Sequence, residues 1–136
     1  MIKLIVGQKG SGKTKAMIEM ANDAVNKVAG DIVFVDGSNR QMVDLSFKVR
    51  AINIKDFGIT GVKDLYGFLC GILAGNYDIN QIYLDGLFDI LNFSGEDIEA
   101  FIFYIKKLSE KFNISFIISM NGNPETVPAY LKEYIA

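Results

Sequence analysis

Short apolar runs alternate along this chain with longer segments of helical periodicity. The runs are rich in β-branched residues and end at glycine or at a polar residue, which is typical of buried strands. We predict strands over residues 4–6, 32–35, 81–84 and 115–119, with an edge strand over 49–54. Apolar residues at spacings of three and four predict helices over residues 13–29, 62–74, 96–112 and 128–135.

This alternation favours one α/β domain spanning residues 1–136. Buried strands that alternate with helices need crossover connections, so we expect a mostly parallel sheet of four or five strands with helices on both faces. The chain has 136 residues, of which 50% are hydrophobic. That is enough for one domain with a substantial core, and too short for two ordinary domains.

Composition excludes several classes of function. The formal net charge is −2 and no long basic run occurs, so we expect no nucleic-acid binding. The chain has one cysteine, Cys70, and no histidine, which argues against an internal disulfide, a zinc site and a histidine-based hydrolytic triad. The longest apolar stretch, residues 66–74, covers about half of the ~20 residues of a membrane helix. We therefore expect a cytoplasmic protein without membrane insertion.

The most specific motif is the octapeptide of residues 7–14, which we call the glycine loop. It reads G-x-x-x-x-G-K-[ST] and lies between a predicted strand and a predicted helix. Glycines allow tight curling of the backbone, so that successive N–H groups face one anion, and the following helix dipole favours the same negative charge. We expect the loop to hold nucleotide phosphates through Gly7, Gly10, Ser11, Gly12, Lys13, Thr14 and Lys15.

With this motif the chain resembles the P-loop NTPase superfamily. The resemblance implies a three-layer P-loop fold, with Mg²⁺ and ATP as cofactors. It further implies that Lys13 neutralises charge between the β- and γ-phosphates and that the Thr14 hydroxyl binds Mg²⁺. Asp85, after the apolar run of residues 82–84, matches the Walker B carboxylate that holds the metal. Lys13 and Asp85 are thus the candidate catalytic residues, and Thr14 and Asp85 the candidate metal ligands.

Departures from the family pattern suggest slow or partner-stimulated ATP hydrolysis. Many hydrolysing members carry glutamate directly after the Walker B aspartate, whereas this chain has Gly86. The next carboxylate, Asp89, could take the place of this glutamate or could simply be solvated, and we favour the second interpretation. Asn121 is either a sensor of the γ-phosphate or part of an Asn-Gly turn.

The sequence constrains the roles of the arginines and the choice of nucleotide less strongly than it constrains the role of the glycine loop. Phosphoryl transfer often uses an arginine, and Arg40 and Arg50 could reach the nucleotide of the same or a neighbouring subunit, although surface roles are favoured. GTP-binding proteins usually carry N-K-x-D, whereas the one Asn-Lys pair here, at residues 26–27, is followed by valine and alanine. ATP is therefore favoured over GTP.

Over nearly its whole length the chain resembles small stand-alone bacterial ATP-binding proteins labelled as twitching-motility or pilus-retraction-like ATPases. The resemblance includes the glycine loop and the segments at residues 35–37, 67–71 and 83–86.

Two alternative functions stay open. Residues 36–40 resemble the acceptor-binding segment of adenylylsulfate kinases, which implies a small-molecule kinase. A non-hydrolysing, nucleotide-gated interaction module is favoured by Gly67, Gly71 and Gly75, which recur every four residues and could form a contact with a protein partner or a second copy. We predict, however, that these glycines instead allow the helix to pack closely on the sheet.

Overall fold

The computed structural model describes residues 1–38 and 42–136, and its strands and helices alternate as predicted. The strands are β1 (Ile2–Gly7), β2 (Asp31–Asp36), β3 (Arg50–Asn53), β4 (Ile79–Leu84) and β5 (Ser115–Asn121). The helices are α1 (Lys13–Ala24), α2 (Gly61–Gly75), α3 (Leu87–Ile90), α4 (Gly95–Phe112) and α5 (Ala129–Lys132), with a 3₁₀ turn at Ile54–Phe57.

The five strands form one sheet in the order β1-β5-β4-β2-β3. Every neighbouring pair is parallel, so the carboxyl ends of all the strands lie at one edge of the sheet. β5 lies between β1, which leads into the glycine loop, and β4, which leads into Asp85. This order brings the ends of three strands together beside the loop.

Helices cover both faces of the sheet, which confirms the predicted α/β architecture. Successive residues of β2 alternate between two apolar clusters: Phe34 packs with Met17 of α1, whereas Val35 packs with Leu69 of α2. Helix α4 lies on the same face of the sheet as α2, and it contributes Phe101 and other apolar residues to the cluster that contains Val35 and Leu69. Such alternation follows from the two-residue period of a strand.

Buried Tyr83 lies on the α1 face of β4, directly before the strand's carboxyl end. Its ring stacks on Phe34 with 5.6 Å between centroids, and its hydroxyl donates a hydrogen bond of 2.8 Å to Gln81 Oε1. Burial, with a smaller contribution from the charge of Asp23, raises the pKa of Tyr83 to about 12. The phenol therefore remains neutral at physiological pH.

Most predicted boundaries are confirmed, but two helices are shorter than expected. α1 ends at Ala24 rather than at residue 29 because its last turn tightens: Lys27 N–H donates to Ala24 O, three residues back. The predicted closing helix over 128–135 is a single turn, α5, after which Ile135 forms an isolated parallel bridge to Leu4. By contrast, the Ser94–Asp97 capping box of α4 forms as predicted.

The glycines of α2 do not pack on the sheet, so that prediction was wrong. Gly67, Gly71 and Gly75 are all exposed, and a Cβ atom added at any of them would meet no atom within 4 Å. The helix packs through the buried residues Leu65 and Leu69 instead. The three glycines therefore form an exposed strip on the helix, and two of them, Gly71 and Gly75, line an open groove with residues of β2 and β3.

Within residues 1–38 and 42–136, no helix has the length and apolar character needed to cross a membrane.

Candidate functional site at the carboxyl ends of the strands

The glycine loop curls between β1 and α1 because two glycines adopt left-handed backbone conformations. Gly10 has φ of 83° and Gly12 has φ of 90°, a region in which a side chain is strained. Gly12 precedes α1, and its carbonyl accepts the first helical hydrogen bond, from Ala16 N at 3.0 Å. The first N–H groups of a helix have no partner within it, so those of α1 are directed toward the loop.

The ammonium group of Lys13 folds back over this loop. Its Nζ donates hydrogen bonds of 3.0 Å to Gly7 O and 2.9 Å to Gln8 O. Since an ammonium group has three N–H donors, one donor remains for a ligand. Gly7 is itself closely packed, because an added Cβ would lie 2.6 Å from Ser11 Oγ. Lys13 and the backbone at the start of the loop therefore stabilise each other.

Asp85 joins the loop to β5 through a chain of hydrogen bonds. Thr14 Oγ1 donates to Asp85 Oδ2 at 2.7 Å, and Ser119 Oγ donates to Asp85 Oδ1 at 2.7 Å. The same Ser119 oxygen accepts a hydrogen bond from Gly86 N at 2.8 Å. Both Asp85 and Ser119 are buried. The carboxylate is thus oriented from two sides, with one oxygen directed at the hydroxyl of the glycine loop.

A second carboxylate, Asp89, lies at the same edge of the sheet. Asn121 Nδ2 donates a hydrogen bond to Asp89 Oδ2. Asn121 is fixed in turn by its place in the sheet, where it pairs in register with Gly7, and the N–H of Gly122 donates to Gly7 O at 3.1 Å. Asp89 is exposed, as expected of a solvated residue, but it also accepts the hydrogen bond from Asn121 and lines the same cavity as Lys13 and Asp85.

These groups surround one cavity of about 360 Å³. Its lining contains three lysines, Lys9, Lys13 and Lys15, and the two carboxylates Asp85 and Asp89. A concave site with converging cations, backbone amides and a fixed carboxylate is suited to a polyanion that carries a metal ion. The cavity contains Gly10, Gly12, Lys13, Thr14, Lys15 and Asp85 among the predicted site residues.

The oxygens beside the loop fit a magnesium ion that is shared with a ligand. In the described part of the chain, no cluster of three His, Cys, Asp or Glu residues could hold a metal alone. Magnesium typically binds to one or two carboxylates together with phosphate oxygens and waters. Thr14 Oγ1 and Asp85 Oδ2 are 2.7 Å apart, close to the roughly 2.9 Å that separates adjacent ligands of an octahedron with 2.0–2.1 Å bonds.

No protein-family model matches this chain, and no curated protein matches it in sequence. The geometry of the cavity is therefore the basis for assigning a function.

Other predicted site residues lie outside the cavity or serve it indirectly. Gly7 and Ser11 are not part of the lining, and Gly7 contributes its carbonyl to the Lys13 contact. Arg50 begins β3, at the opposite edge of the sheet from β1, and also lies outside the cavity lining. Arg40 lies outside the described residues.

The segment that resembles a kinase acceptor site is only partly described. Asp36 is buried at the end of β2 and accepts a hydrogen bond of 3.0 Å from Ser38 Oγ. Gly37 is enclosed, since an added Cβ would lie 2.7 Å from Ile90 Cδ1. The remaining residues of the motif, 39 and 40, lie outside the described chain.

Ser119 belongs to the candidate site, although the sequence pattern did not predict it. It was assigned only as the last residue of a buried strand, but it orients Asp85 and binds the backbone of Gly86. The sequence feature that could have indicated Ser119 is its position in β5, where a hydroxyl residue follows three apolar residues and precedes Asn121 by two positions.

Proposed function

We propose that this chain is a P-loop NTPase that binds Mg²⁺-ATP and hydrolyses it slowly, or faster with a partner. The observation that carries the proposal is the hydrogen bond between Thr14 and Asp85 in the cavity that also contains Lys13. Two distant parts of the sequence, each expected to serve the same metal, meet there at 2.7 Å. The resemblance of the octapeptide to the P-loop motif supports the same function.

The backbone and Lys13 would bind the phosphates. The amides of Gly10 and Gly12 and the first turn of α1 would face the phosphate oxygens, where the helix dipole favours negative charge. Lys13 would add a cation between the β- and γ-phosphates while its two loop hydrogen bonds hold it in place. Binding here needs little rearrangement, because the left-handed glycines already shape the loop.

Thr14 and Asp85 would hold the metal, directly or through water. Bound Mg²⁺ would neutralise charge on the phosphate oxygens as the terminal phosphoryl group is transferred. Ser119 keeps the Asp85 carboxylate turned toward Thr14. The absence of a side-chain carboxylate at Gly86 is the reason to propose slow intrinsic turnover.

The choice of ATP over GTP and a cytoplasmic location remain part of this proposal. Both rest on the sequence: the N-K-x-D signature is absent, and the longest apolar stretch, residues 66–74, covers about half of the ~20 residues of a membrane helix.

Phosphate release from Mg²⁺-ATP tests the proposed activity. Purified wild type should release phosphate slowly, and Lys13→Ala, prepared in parallel, should show no release above background. Lys27→Ala is a matched control because Lys27 is exposed beyond the end of α1. Equal release by all three proteins would assign the signal to a contaminant and contradict the proposal.

A nucleotide-gated interaction module is the second candidate. It is favoured by the open glycine strip of α2, which the packing of the domain does not require. Gly71→Leu should then alter the sedimentation profile of the protein with ATP or of its complex with a partner. A folded Gly71→Leu variant with an unchanged profile would remove this support.

A further inference from the structure

Asp89 has a position that the proposed binding site does not explain. It lines the same cavity as Lys13 and Asp85, yet it belongs neither to the glycine loop nor to the pair of oxygens that fits the metal. Its carboxylate accepts a hydrogen bond from the side-chain amide of Asn121. The question is what a second carboxylate does in a cavity suited to phosphates.

The backbone explains why the carboxylate appears at residue 89 and not at residue 86. Gly86 has φ of 71°, a left-handed conformation that turns the chain out of β4 and begins α3. Leu87 and Phe88 then enter the core, and the third residue of the helix, Asp89, is left on the cavity side. The carboxylate of Asp89 therefore reaches the cavity from a position three residues after Gly86, where many ATP-hydrolysing P-loop proteins carry glutamate.

Asp89 is held in this position from two sides. On one side, Phe88 packs against Phe93 and Phe101 with ring centroids 5.7 and 5.8 Å apart, which anchors α3 in the core. On the other side, Asn121 is the last residue of β5 and is paired with Gly7, the first residue of the glycine loop. The distance between Asp89 and the loop is therefore set by the sheet and the core, not by a free surface side chain.

From this geometry we propose that Asp89 is the general base that orients the water attacking the terminal phosphate, and that Asn121 is its positioning residue. The inference rests on the proposed ATP hydrolysis. The amide of Asn121 donates to one carboxylate oxygen of Asp89, which leaves the other oxygen to accept a hydrogen bond from water. Because Asp89 is exposed, the proton that it takes up can return to solvent.

The reaction balances with water as the only co-reactant. The water oxygen forms a bond to the terminal phosphorus while the bond from that phosphorus to the bridging oxygen breaks. The electron pair of the broken bond stays on the ADP oxygen, and one proton of the water passes to the Asp89 carboxylate. The products are ADP and inorganic phosphate, and the proton is released to solvent when the carboxylate is regenerated.

Asp89→Asn separates this role from nucleotide binding. The amide keeps the size of the side chain but cannot act as a base, so kcat for ATP should fall by about 100-fold, the lower end of the range for general bases. The affinity for Mg²⁺-ATP should stay within about twofold of wild type, because the loop, Thr14 and Asp85 are untouched. Asp78→Asn is the control: this exposed aspartate precedes β4 at the opposite end of the strands.

Two further variants test the assignment beyond a structural role. Asp89→Glu restores a carboxylate and should be at least about tenfold faster than Asp89→Asn. Asn121→Ala should lower kcat by about tenfold with KM within about twofold, and the double variant Asp89→Asn/Asn121→Ala should be no slower than Asp89→Asn alone. Such non-additivity is expected when one residue acts only through the other.

Each outcome separates this inference from the proposed function. Normal ATP binding with a specific loss of turnover in Asp89→Asn supports both. Turnover of Asp89→Asn within about threefold of wild type overturns the role of Asp89 and leaves ATP hydrolysis in place, as does an Asp89→Glu variant as slow as Asp89→Asn. Wild type that binds ATP without Lys13-dependent turnover also overturns it, whereas a wild type that binds no ATP contradicts the proposed function itself.

Discussion

The glycine loop and the exposed strip of α2 are both rich in glycine, but their glycines differ in backbone conformation. Gly10 and Gly12 have φ of 83° and 90°, which an L-residue adopts only with strain. Gly67 and Gly71 lie within a regular helix, where any residue other than proline is accommodated and alanine is more stable. The loop glycines are therefore demanded by the fold of the loop, whereas nothing in the packing of the domain demands those of α2.

Their surroundings differ in the same way. The loop is connected to the rest of the cavity by hydrogen bonds from Lys13 and Thr14, so its conformation is coupled to buried Asp85. The strip on α2 has open space beside it. Substitutions should therefore lower stability or binding in the first region and raise stability in the second.

A large effect on both stability and nucleotide binding is expected in the loop, from Gly12→Val. A β-branched residue at φ of 90° is strained, and left-handed geometry costs an L-residue roughly 1–2 kcal/mol. We expect the free energy of unfolding to fall by about that amount, as measured by urea denaturation. Calorimetry should show Mg²⁺-ATP affinity at least about tenfold weaker, because relief of the strain moves the amides of the loop. Unchanged stability together with unchanged affinity would show that the loop does not require glycine at this position.

A comparable loss of stability is expected from Ser119→Ala, without any strain in the backbone. The change removes the hydrogen bonds that Ser119 makes with Asp85 Oδ1 and Gly86 N. Leaving buried polar groups unpaired costs about 1–3 kcal/mol, and urea denaturation should show a loss of this size. Ser46→Ala, in a partly exposed turn, is a control with the same chemistry. Equal stability of Ser119→Ala and wild type would contradict the role of Ser119 in holding Asp85.

The smallest effect, and the one of opposite sign, is expected on α2. Gly71→Ala places a methyl group in open space and should raise the free energy of unfolding by about 0.5–1 kcal/mol, because glycine in a helix is less stable than alanine by that amount. Gly37→Ala is the contrasting variant and should not gain stability, because its Cβ would lie 2.7 Å from Ile90 Cδ1 and 2.8 Å from Ile54 Cγ2. A destabilised Gly71→Ala would mean that the glycine strip of α2 is packed in solution.

The sequence predicted β1, β2, β4 and β5 well because each contains an apolar run with a clear end, whereas β3 is a short edge strand with two exposed residues. It predicted α2 and α4 from apolar residues at helical spacing, and Ser94 with Asp97 marked the start of α4 through a side-chain motif. The end of α1 was placed too late because apolar residues continue to Val28, whereas the hydrogen bonds tighten after Ala24. The spacing of apolar residues indicates which residues face the core, but it does not indicate at which residue the helical hydrogen bonds end.

The candidate site was predictable where its chemistry is local. The glycine loop is contiguous in sequence, and Asp85 is marked by the apolar run before it. Asp89 and Asn121 were each considered from the sequence, but their pairing, like the contact of Ser119 with Asp85, depends on the strand order that places β5 between β1 and β4. The four residues of α3 are also too few to show helical periodicity, so this helix was not predicted.

Calorimetric titration of Mg²⁺-ATP into wild type and Lys13→Ala tests the central claim most directly. Removing a charge-assisted contact worth about 1.5–3 kcal/mol should weaken binding by about 10- to 100-fold. Lys27→Ala should bind as wild type does, and all three proteins should be folded before denaturant is added, as urea denaturation checks. Saturable binding by wild type and Lys27→Ala with a sharp loss in Lys13→Ala is the predicted result; equal affinity in all three, or no binding by wild type, would contradict the account.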